Sequence, residues 1–265
     1  MPGPLIGVIV ALFAILVGNA LEGGHMASMV GGPAALIVVG GTIGAVIVQY
    51  PISTLLGAVK AAGATFKKSG NETEKLVELL VDYANRARRD GILALEKVAE
   101  TAPDPFLKKA LMMAVDGADA TTLRETMELA IGQEEEHGED HAKAFEAAGG
   151  YSPTVGIIGA VLGLIHVMSN LSDINAVGHG IAAAFVATIY GVAVANLVFL
   201  PLGGRIKLLV REKTTKREMI LAGVLAIQSG MNPKLVRERL AEYLHGKHAP
   251  AKASGVAPAA ADATS

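Results

Sequence analysis

The sequence predicts an all-α, polytopic membrane protein with four transmembrane helices and a helical cytoplasmic domain. Three observations lead to this fold class. The 265-residue chain is 51% hydrophobic and only 18% charged, whereas an average soluble domain contains about a quarter charged residues. Four apolar segments contain no Asp, Glu, Lys or Arg, and each approaches the length of a membrane-spanning helix. The 23 Lys and Arg residues all lie outside the two long regions that hold these segments.

The four predicted spans share an apolar composition and a length near the minimum for crossing a bilayer. They are 5–21, 34–50, 155–171 and 181–202. A span needs about 20 residues, with about 17 as the lower limit, so the first three need flanking residues or local bilayer thinning. Four such runs in one chain disfavour buried helices of a soluble protein. A cleaved signal peptide is disfavoured for the first run because no basic residue precedes it.

The placement of basic residues predicts the orientation in the bacterial inner membrane. No Lys or Arg occurs in 1–59 or 144–204, whereas twelve lie between Lys60 and Lys143 and eleven from Arg205 onward. Cytoplasmic loops carry an excess of Lys and Arg. Both termini and the two basic regions are therefore predicted to be cytoplasmic, and the short loops 22–33 and 172–180 to be periplasmic.

This topology divides the chain into five parts. They are a first transmembrane hairpin (1–51), a cytoplasmic helical domain (52–152), a second hairpin (153–202), C-terminal cytoplasmic helices (203–246) and a disordered tail (247–265). The tail is assigned from its Ala-, Pro- and Ser-rich composition. We expect the two hairpins to contact membrane lipids.

Apolar residues at helical spacing predict the helices of the cytoplasmic parts. These helices are 71–100, 106–115, 121–148, 205–229 and a last one from Pro233 to near Gly246. Thr121 and Thr122 with Glu125 resemble a capping box that opens the third of them. The third helix is expected to continue through Gly149 and Gly150 toward the next span, and Asn232 is expected to cap the last helix.

No arrangement of residues typical of an enzyme occurs in the chain. Walker loops, nucleophile elbows and Rossmann fingerprints are absent from the sequence, and the glycine-rich run 40–44 lies inside a predicted span, where it favours close helix packing. The net charge of −2 gives no basic excess for nucleic acid. The acidic stretch 134–141 puts His137 and His141 one turn apart, but a solvated helix face is the preferred interpretation over a metal site.

Few side chains within the spans could take part in ion transport. His166 is the one titratable group well inside a span, and either a proton relay or a simple interhelical hydrogen bond would account for it. Thr188 could face a pore or bond its own backbone. Pro153 and Pro201 bracket the second hairpin, as helix punctuation or as hinges. No span holds a carboxylate, so a partner would have to supply one for ion conduction.

Five stretches, in this order, resemble the MotA/PomA family of flagellar stator subunits, which is related to ExbB and TolQ. They are LIGVIVALFAILVGNALEGG and GPAALIVVGGTIGAVIVQYP in the first hairpin, RRDGILALE at 88–96, and SPTVGIIGAVLGLIHVM and AAAFVATIYGVAVANLVFLPL in the second hairpin. The similarity extends to about residue 246, and the first hairpin is most similar to the MotC-like branch.

The resemblance implies a mechanism and a set of partners. Five copies would form a ring around two copies of a MotB-type subunit, which carries a membrane Asp and a peptidoglycan-binding domain. Ion flow would rotate the ring and turn the rotor protein FliG. No cofactor is implied beyond the coupling ion.

The resemblance also implies roles for individual residues. Arg88 and Glu96 match the rotor-facing charges, for which an ordinary salt-bridged helix face is the alternative. Pro153 and Pro201 match the prolines needed for torque. Thr188 matches the pore threonine. Ala160 takes the place of a second threonine in sodium-driven relatives, and losing that oxygen favours H⁺ over Na⁺ as the coupling ion.

Three other functions stay open as alternatives. An ExbB/TolQ-type subunit that energises outer-membrane transport would have three spans. A solute or metal transporter would be expected to show polar binding residues or inverted repeats in its spans. A passive membrane scaffold would need no pore threonine.

Overall fold

The computed structural model describes residues 3–24, 29–66, 72–169 and 171–244, and the regular elements in these ranges are all helical. The predicted tail 247–265 lies outside the described residues. The helices are α1 (Gly3–Leu21), α2 (Gly32–Gln49), α3 (Ile52–Ala64), α4 (Glu72–Asp90), α5 (Glu96–Glu100), α6 (Pro105–Val115), α7 (Ala120–Met168), α8 (Ile174–Val194), α9 (Leu200–Gln228) and α10 (Pro233–Leu244). The predicted all-α fold class is confirmed.

Three of the described helices are long and apolar enough to cross a membrane. They are Gly32–Gln49, Ala120–Met168 and the run Val177–Gln228, which includes most of α8 and all of α9. The remaining predicted span corresponds to α1. Its 19 residues extend about 28 Å at a rise of 1.5 Å per residue, close to the roughly 30 Å of a hydrocarbon core.

The residues form two compact units. The first unit comprises Met1–Gly70 and Glu128–Thr214, and the second comprises Asn71–Met127 and Thr215–Ser265. The first unit therefore contains the apolar helices, and most of their large side chains are exposed on the single chain, including Ile9, Phe13 and Phe185. Exposed apolar surface of this extent is expected for helices that contact lipid or other subunits.

One predicted helix is divided by a single glycine. The predicted helix 71–100 is wrong, since Gly91 has a φ of +83° and ends α4. A 3₁₀ turn, Ile92–Leu95, then leads into α5. Glycine adopts this left-handed conformation without the steric cost that a Cβ would bring.

The amino-terminal ends of α7 and α8 also differ from the prediction. Asp119, not Thr121, caps α7, because its Oδ1 accepts hydrogen bonds from Thr121 N at 2.9 Å and Thr122 N at 3.0 Å. Asp173 caps α8 in the same way through Asn175 N at 2.9 Å. The predicted loop 172–180 is therefore helical from Ile174 onward.

Other predictions for the helices are confirmed. Helix α7 runs through Gly149 and Gly150 without a break and includes Pro153. Asn232 caps α10, with Lys234 N donating to Asn232 Oδ1 at 3.0 Å. Helix α7 thus crosses residues 152 and 153, where the sequence suggested a boundary between a cytoplasmic part and a hairpin.

The core of the second unit is built around the carboxyl-terminal half of α9. The side chains from Met219 to Ile227 are buried, and a Cβ at Gly223 would lie 2.9 Å from Leu80 of α4 and 3.5 Å from Leu240 of α10. The absence of that Cβ lets three helices meet at one point. Burying a Leu side chain contributes about 1.5–3 kcal/mol, so Leu80 and Leu240 are major contributors here.

An ion pair joins α6 to α9 within the second unit. Asp104 caps α6 through Phe106 N at 2.8 Å, and its Oδ1 also accepts from the Arg217 guanidinium. That guanidinium lies 4.8 Å from the centre of the Phe106 ring, a cation–π distance. Burial alone would raise the pKa of Asp104, but Arg217 and two backbone N–H groups outweigh it and hold the pKa below its usual value.

We predict that Asp104→Asn destabilises the full-length protein by about 2 kcal/mol at pH 7, because it removes the carboxylate that pairs with the partly buried Arg217 guanidinium. Since the folded-state pKa is lowered, the Asp104 carboxylate stabilises the fold above its unfolded pKa of about 3.9, and this stabilisation is lost as the pH falls through the lower folded value. Unfolding by urea in detergent, followed by circular dichroism between pH 3 and 7, measures both effects.

The matched control is Asp82→Asn, because Asp82 pairs with Arg86 at 2.9 Å in an exposed i,i+4 bridge. Such a pair contributes about 0.3–0.5 kcal/mol. Equal destabilisation by the two variants would contradict the role given to Asp104.

Candidate functional site

Helices α7 and α8 approach each other backbone to backbone at a pair of glycines. A Cβ at Gly156 would lie 3.0 Å from Ala187 O and 3.2 Å from Gly191 Cα, and a Cβ at Gly191 would lie 2.7 Å from Ser152 O. The fully buried Ser152 adds a hydrogen bond across the pair, from its Oγ to Gly191 O at 3.0 Å. Small residues let membrane helices pack this closely.

The close packing continues along the hairpin through a series of small residues. On α7 these are Ser152, Gly156, Gly159 and Gly163, and on α8 they are Gly180, Ala184, Ala187 and Gly191. A Cβ at Gly163 would lie 3.2 Å from Ala184 Cβ and from Gly180 O. Small residues three or four positions apart occupy one helix face, so this spacing is visible in the sequence. Close packing was predicted only for the glycines of α2.

The two predicted ion-pathway residues lie at the same level of this hairpin. Their neighbours Gly159 and Ala187 are in contact, since a Cβ at Gly159 would be 2.9 Å from Ala187 Cβ. Ala160 and Thr188 are both half-buried. Thr188 Oγ1 donates to Ala184 O at 3.3 Å, and this leaves the oxygen lone pairs of the hydroxyl as acceptors. Ala160 offers only a methyl group.

Both predicted hinge prolines lie inside helical segments, so neither is simple punctuation at a helix end. Pro153 lies at the tightest point of the hairpin, with its Cα 3.2 Å from a Cβ placed on Gly191. Pro201 follows a π-helical turn, Ala195–Phe199, that closes through a hydrogen bond from Leu200 N to Ala195 O. Each proline removes one N–H from the helix ladder, and π turns and prolines are where helices bend.

His166 lies on α7 and is exposed on the single chain. Seven residues separate it from Gly159, where the hairpin packs closely. The structure therefore places His166 on an outward surface of the first unit, apart from the level of Ala160 and Thr188.

The acidic stretch 134–141 forms part of α7 and makes ion pairs. Lys213 Nζ lies 2.6 Å from Glu134 Oε1, and Lys143 pairs with Glu139 at 3.6 Å and Asp140 at 3.3 Å. Among the residues that the structure describes, no three His, Cys, Asp or Glu side chains come together as a metal site. The geometry is that of a charged helix face.

One histidine of this stretch has a packing role that the sequence did not indicate. The His141 ring fills the space above Gly57 of α3, which has no Cβ to obstruct it. The other face of α3 leaves Ile52, Leu56 and Val59 each about two-thirds exposed. Helix α3 is thus a short apolar helix held against α7 on one side only.

The predicted rotor-facing charges, Arg88 and Glu96, are both exposed in the second unit. Arg88 lies in the last turn of α4 and Glu96 begins α5, on either side of the Gly91 turn. The adjacent Arg86 and Arg89 each pair with an aspartate at 2.9 Å, whereas Arg88 and Glu96 make no ion pair with any described residue. The alternative interpretation, a salt-bridged helix face, therefore does not describe these two residues.

Tyr190 is a residue that the sequence reasoning missed. Its hydroxyl donates to Met29 O at 2.8 Å and accepts from Gly31 N at 3.1 Å, which attaches the start of α2 to α8. A tyrosine well inside an apolar span usually has a hydrogen-bond partner, and this was the available signal.

Known proteins are similar to this chain over most of its length. Motility protein A of Bacillus subtilis (strain 168) is 36% identical over 244 residues, covering 92% of this chain and 90% of that protein. The chain belongs to the Motility protein A (MotA) family. Chemotaxis protein PomA of Vibrio alginolyticus is 35% identical over 238 residues, with 89% of this chain and 93% of that protein covered.

Two sequence profiles and two solved structures agree with membership of the MotA family. The Motility protein A N-terminal profile matches residues 5–91, and that of the MotA/TolQ/ExbB proton channel family matches 97–219. The structure of C. jejuni MotAB has a TM-score of 0.87 and 31% identity, covering 93% of this chain and 96% of that chain. The flagellar MotAB stator complex from Bacillus subtilis has a TM-score of 0.82 and 35% identity, covering 91% and 94%.

Membership of the MotA family confirms the resemblance found in the sequence and makes the chain a multi-pass membrane protein. The assignment to a MotC-like branch and the roles of Arg88, Glu96, Pro153, Pro201, Thr188 and Ala160 stay predictions.

Proposed function

We propose that this protein is the MotA-type stator subunit of a bacterial flagellar motor, which forms an ion channel with a MotB-type partner and converts ion flow into rotation. The observation that carries the proposal is the lack of any carboxylate in the four apolar segments of a MotA-family chain. Ion transport across a bilayer normally needs an ionisable group at depth. The partner supplies it as a membrane Asp.

The outward surfaces of the α7–α8 hairpin support assembly with other chains. Ile158, Val161 and Ile165 of α7, with Phe185 and Ile189 of α8, are between 43% and 66% exposed on the single chain. In the proposed assembly, five copies form a ring around two partner spans. These side chains then contact partner spans, neighbouring copies or lipid, so their exposure does not persist.

The proposed orientation has both termini in the cytoplasm. The basic residues of 60–143 and 205–265 support it, since cytoplasmic regions of membrane proteins carry the excess of Lys and Arg. The second unit, which contains Arg88 and Glu96, is then on the side of the rotor.

The test of the proposed function is complementation of a host that lacks its own stator genes. We expect swimming when this chain and its partner gene are expressed together, and no swimming with either one alone or with the partner's membrane Asp changed to Asn. Swimming by cells that contain this chain without any MotB-type partner would contradict the proposal.

Arg88 and Glu96 are exposed and make no ion pair with a described residue, and this supports a rotor contact at these two charges. We predict that Arg88→Glu reduces the swimming ring to less than about half its diameter, because like charges brought together at an interface cost several kcal/mol. The chain level in membranes should be unchanged, since exposed charges contribute little to stability. Soft-agar swimming and quantitative immunoblots measure the two effects.

Arg86→Glu is the control on the same helix, because Arg86 is exposed but already paired with Asp82. We expect it to swim nearly as well as the parent. A similar loss of swimming for both variants would argue against a specific contact at Arg88.

We propose H⁺ as the coupling ion. Ala160, at the same level of the hairpin as Thr188, has a methyl side chain and so offers no oxygen ligand. Na⁺ is a hard cation that takes several oxygen ligands. Swimming speed should fall to near zero with a protonophore and stay unchanged when K⁺ replaces Na⁺ in the medium. A requirement for Na⁺ would contradict the proposal.

A further inference from the structure

We propose that Tyr190 is a positioning residue for ion transport: its hydroxyl clamps the amino-terminal end of α2 onto α8 and so fixes the face of α8 that carries Thr188. The inference rests on the proposed function for its effect on swimming, whereas the clamp itself can be tested without it. Tyr190 is argued to act through α8 and not to contact the ion.

The hydroxyl of Tyr190 makes two hydrogen bonds to the backbone just before α2. It donates to Met29 O at 2.8 Å and accepts from Gly31 N at 3.1 Å. Gly31 is the residue before the first turn of α2 and has no side chain to cap it. Tyr190 therefore satisfies, from another helix, backbone groups at the start of α2, where N–H groups lack intrahelical partners.

Apolar packing lies beside these part-buried hydrogen bonds. Ala34 of α2 is buried against Val186 and Ala187 of α8, with Tyr190 packed beside them. A Cβ at Gly31 would lie only 3.1 Å from Val186 Cγ1. The start of α2 thus lies directly on α8, within one turn of Tyr190.

The clamp and the predicted pore residue lie on opposite faces of α8. Successive residues of an α-helix are about 100° apart, so Tyr190 points about 200° away from Thr188. Val186 lies one turn before Tyr190 and shares its face. Rotation of α8 about its axis would move Thr188 out of the pathway and would at the same time break both hydrogen bonds to the α2 end.

Close packing alone does not prevent such a rotation. The α7–α8 contact consists mainly of small residues, whose side chains have few atoms to interlock. Beside Tyr190, a hydrogen bond from Ser152 Oγ to Gly191 O joins α8 to α7, and the two bonds from Tyr190 add the directional restraint that joins α8 to the end of α2. We therefore expect removal of the hydroxyl to loosen the orientation of α8 and to uncouple ion flow from rotation.

The first experiment measures the clamp in isolated membranes, whatever the function. The chain has no Cys, and a Cβ at Gly31 would lie 3.9 Å from Val186 Cβ, within the 3.5–4.5 Å range for disulfides. Cysteines are placed at both positions, with and without Tyr190→Phe. We expect the substitution to slow oxidant-driven disulfide formation about fivefold, the factor that corresponds to one net hydrogen bond. An unchanged rate overturns the clamp.

The second experiment measures swimming in the complemented host. Tyr190→Phe should lower swimming speed at least about twofold, as expected for the loss of about 1 kcal/mol of restraint. The disulfide between the two cysteines should restore speed in the Tyr190→Phe background, and a reductant should abolish the gain. Full speed for Tyr190→Phe, or failure of the formed disulfide to restore it, overturns the positioning role.

Tyr151→Phe is the matched control. Tyr151 of α7 also bonds α2, through its hydroxyl to Gln49 Oε1 at 2.9 Å, but it is exposed and lies at the opposite end of α2. We expect no change in speed from this variant. If Tyr190→Phe fails to accumulate, the variant is instead assembled with the disulfide formed and is then reduced. A swimming speed that is unchanged after reduction overturns the proposal.

These results separate the clamp from the proposed function. If the unchanged chain and its partner never restore swimming, the stator proposal fails, and the rate of disulfide formation in membranes still decides whether Tyr190 holds α2 on α8.

Discussion

The first unit depends on the backbone contact between α7 and α8. Any side chain on Gly191 would collide with Ser152 O at 2.7 Å, so the hairpin exists in this form only because both helices present small residues there. This contact puts Ala160 and Thr188 at the same level of the hairpin, and it places Pro153 at the crossing. Helix α2 then packs against the pair, with Val155 filling the space above Gly41 and Ile37 lying 3.4 Å from a Cβ at Gly159. Because membrane helices gain little from the hydrophobic effect between themselves, such close packing and a few hydrogen bonds are what hold them together.

The apolar segments lack a carboxylate and expose large apolar side chains, and both properties are typical of a subunit of a membrane assembly. Its apolar segments bring hydroxyl groups, prolines and an exposed histidine, but no acid. Its hairpin leaves large apolar side chains on the outside. A chain with these properties is one part of an assembly, and membership of the MotA family gives that assembly a function. Pro153 and the π turn before Pro201 each weaken the helix ladder locally.

Charges in the second unit fall into two groups with different roles. Arg217 with Asp104, and Arg237 with Glu78, join helices that are distant in sequence and so contribute to the fold. Only the first of these pairs is largely shielded from water, so it contributes more. Arg88 and Glu96 face solvent and make no ion pair within the part of the chain that the structure describes, next to arginines that are paired. An exposed charge left unpaired contributes little to the fold and is available to an external partner.

The sequence by itself determined the all-α class, the apolar segments and the family, because composition, hydropathy and motif order are local properties that need no tertiary information. It also located Asn232 as a cap, since a capping residue acts within its own turn. The break at Gly91 was missed because the apolar periodicity continues on both sides of it, and Asp119 was overlooked beside two threonines that are equally good caps. Only the tertiary structure decided that Tyr190 bonds the backbone before α2, that Gly156 meets Gly191, and that Arg88 forms no ion pair with another described residue. The first two contacts join residues more than 30 positions apart, and the third depends on which neighbouring charges form ion pairs. Hydropathy patterns carry no information about either.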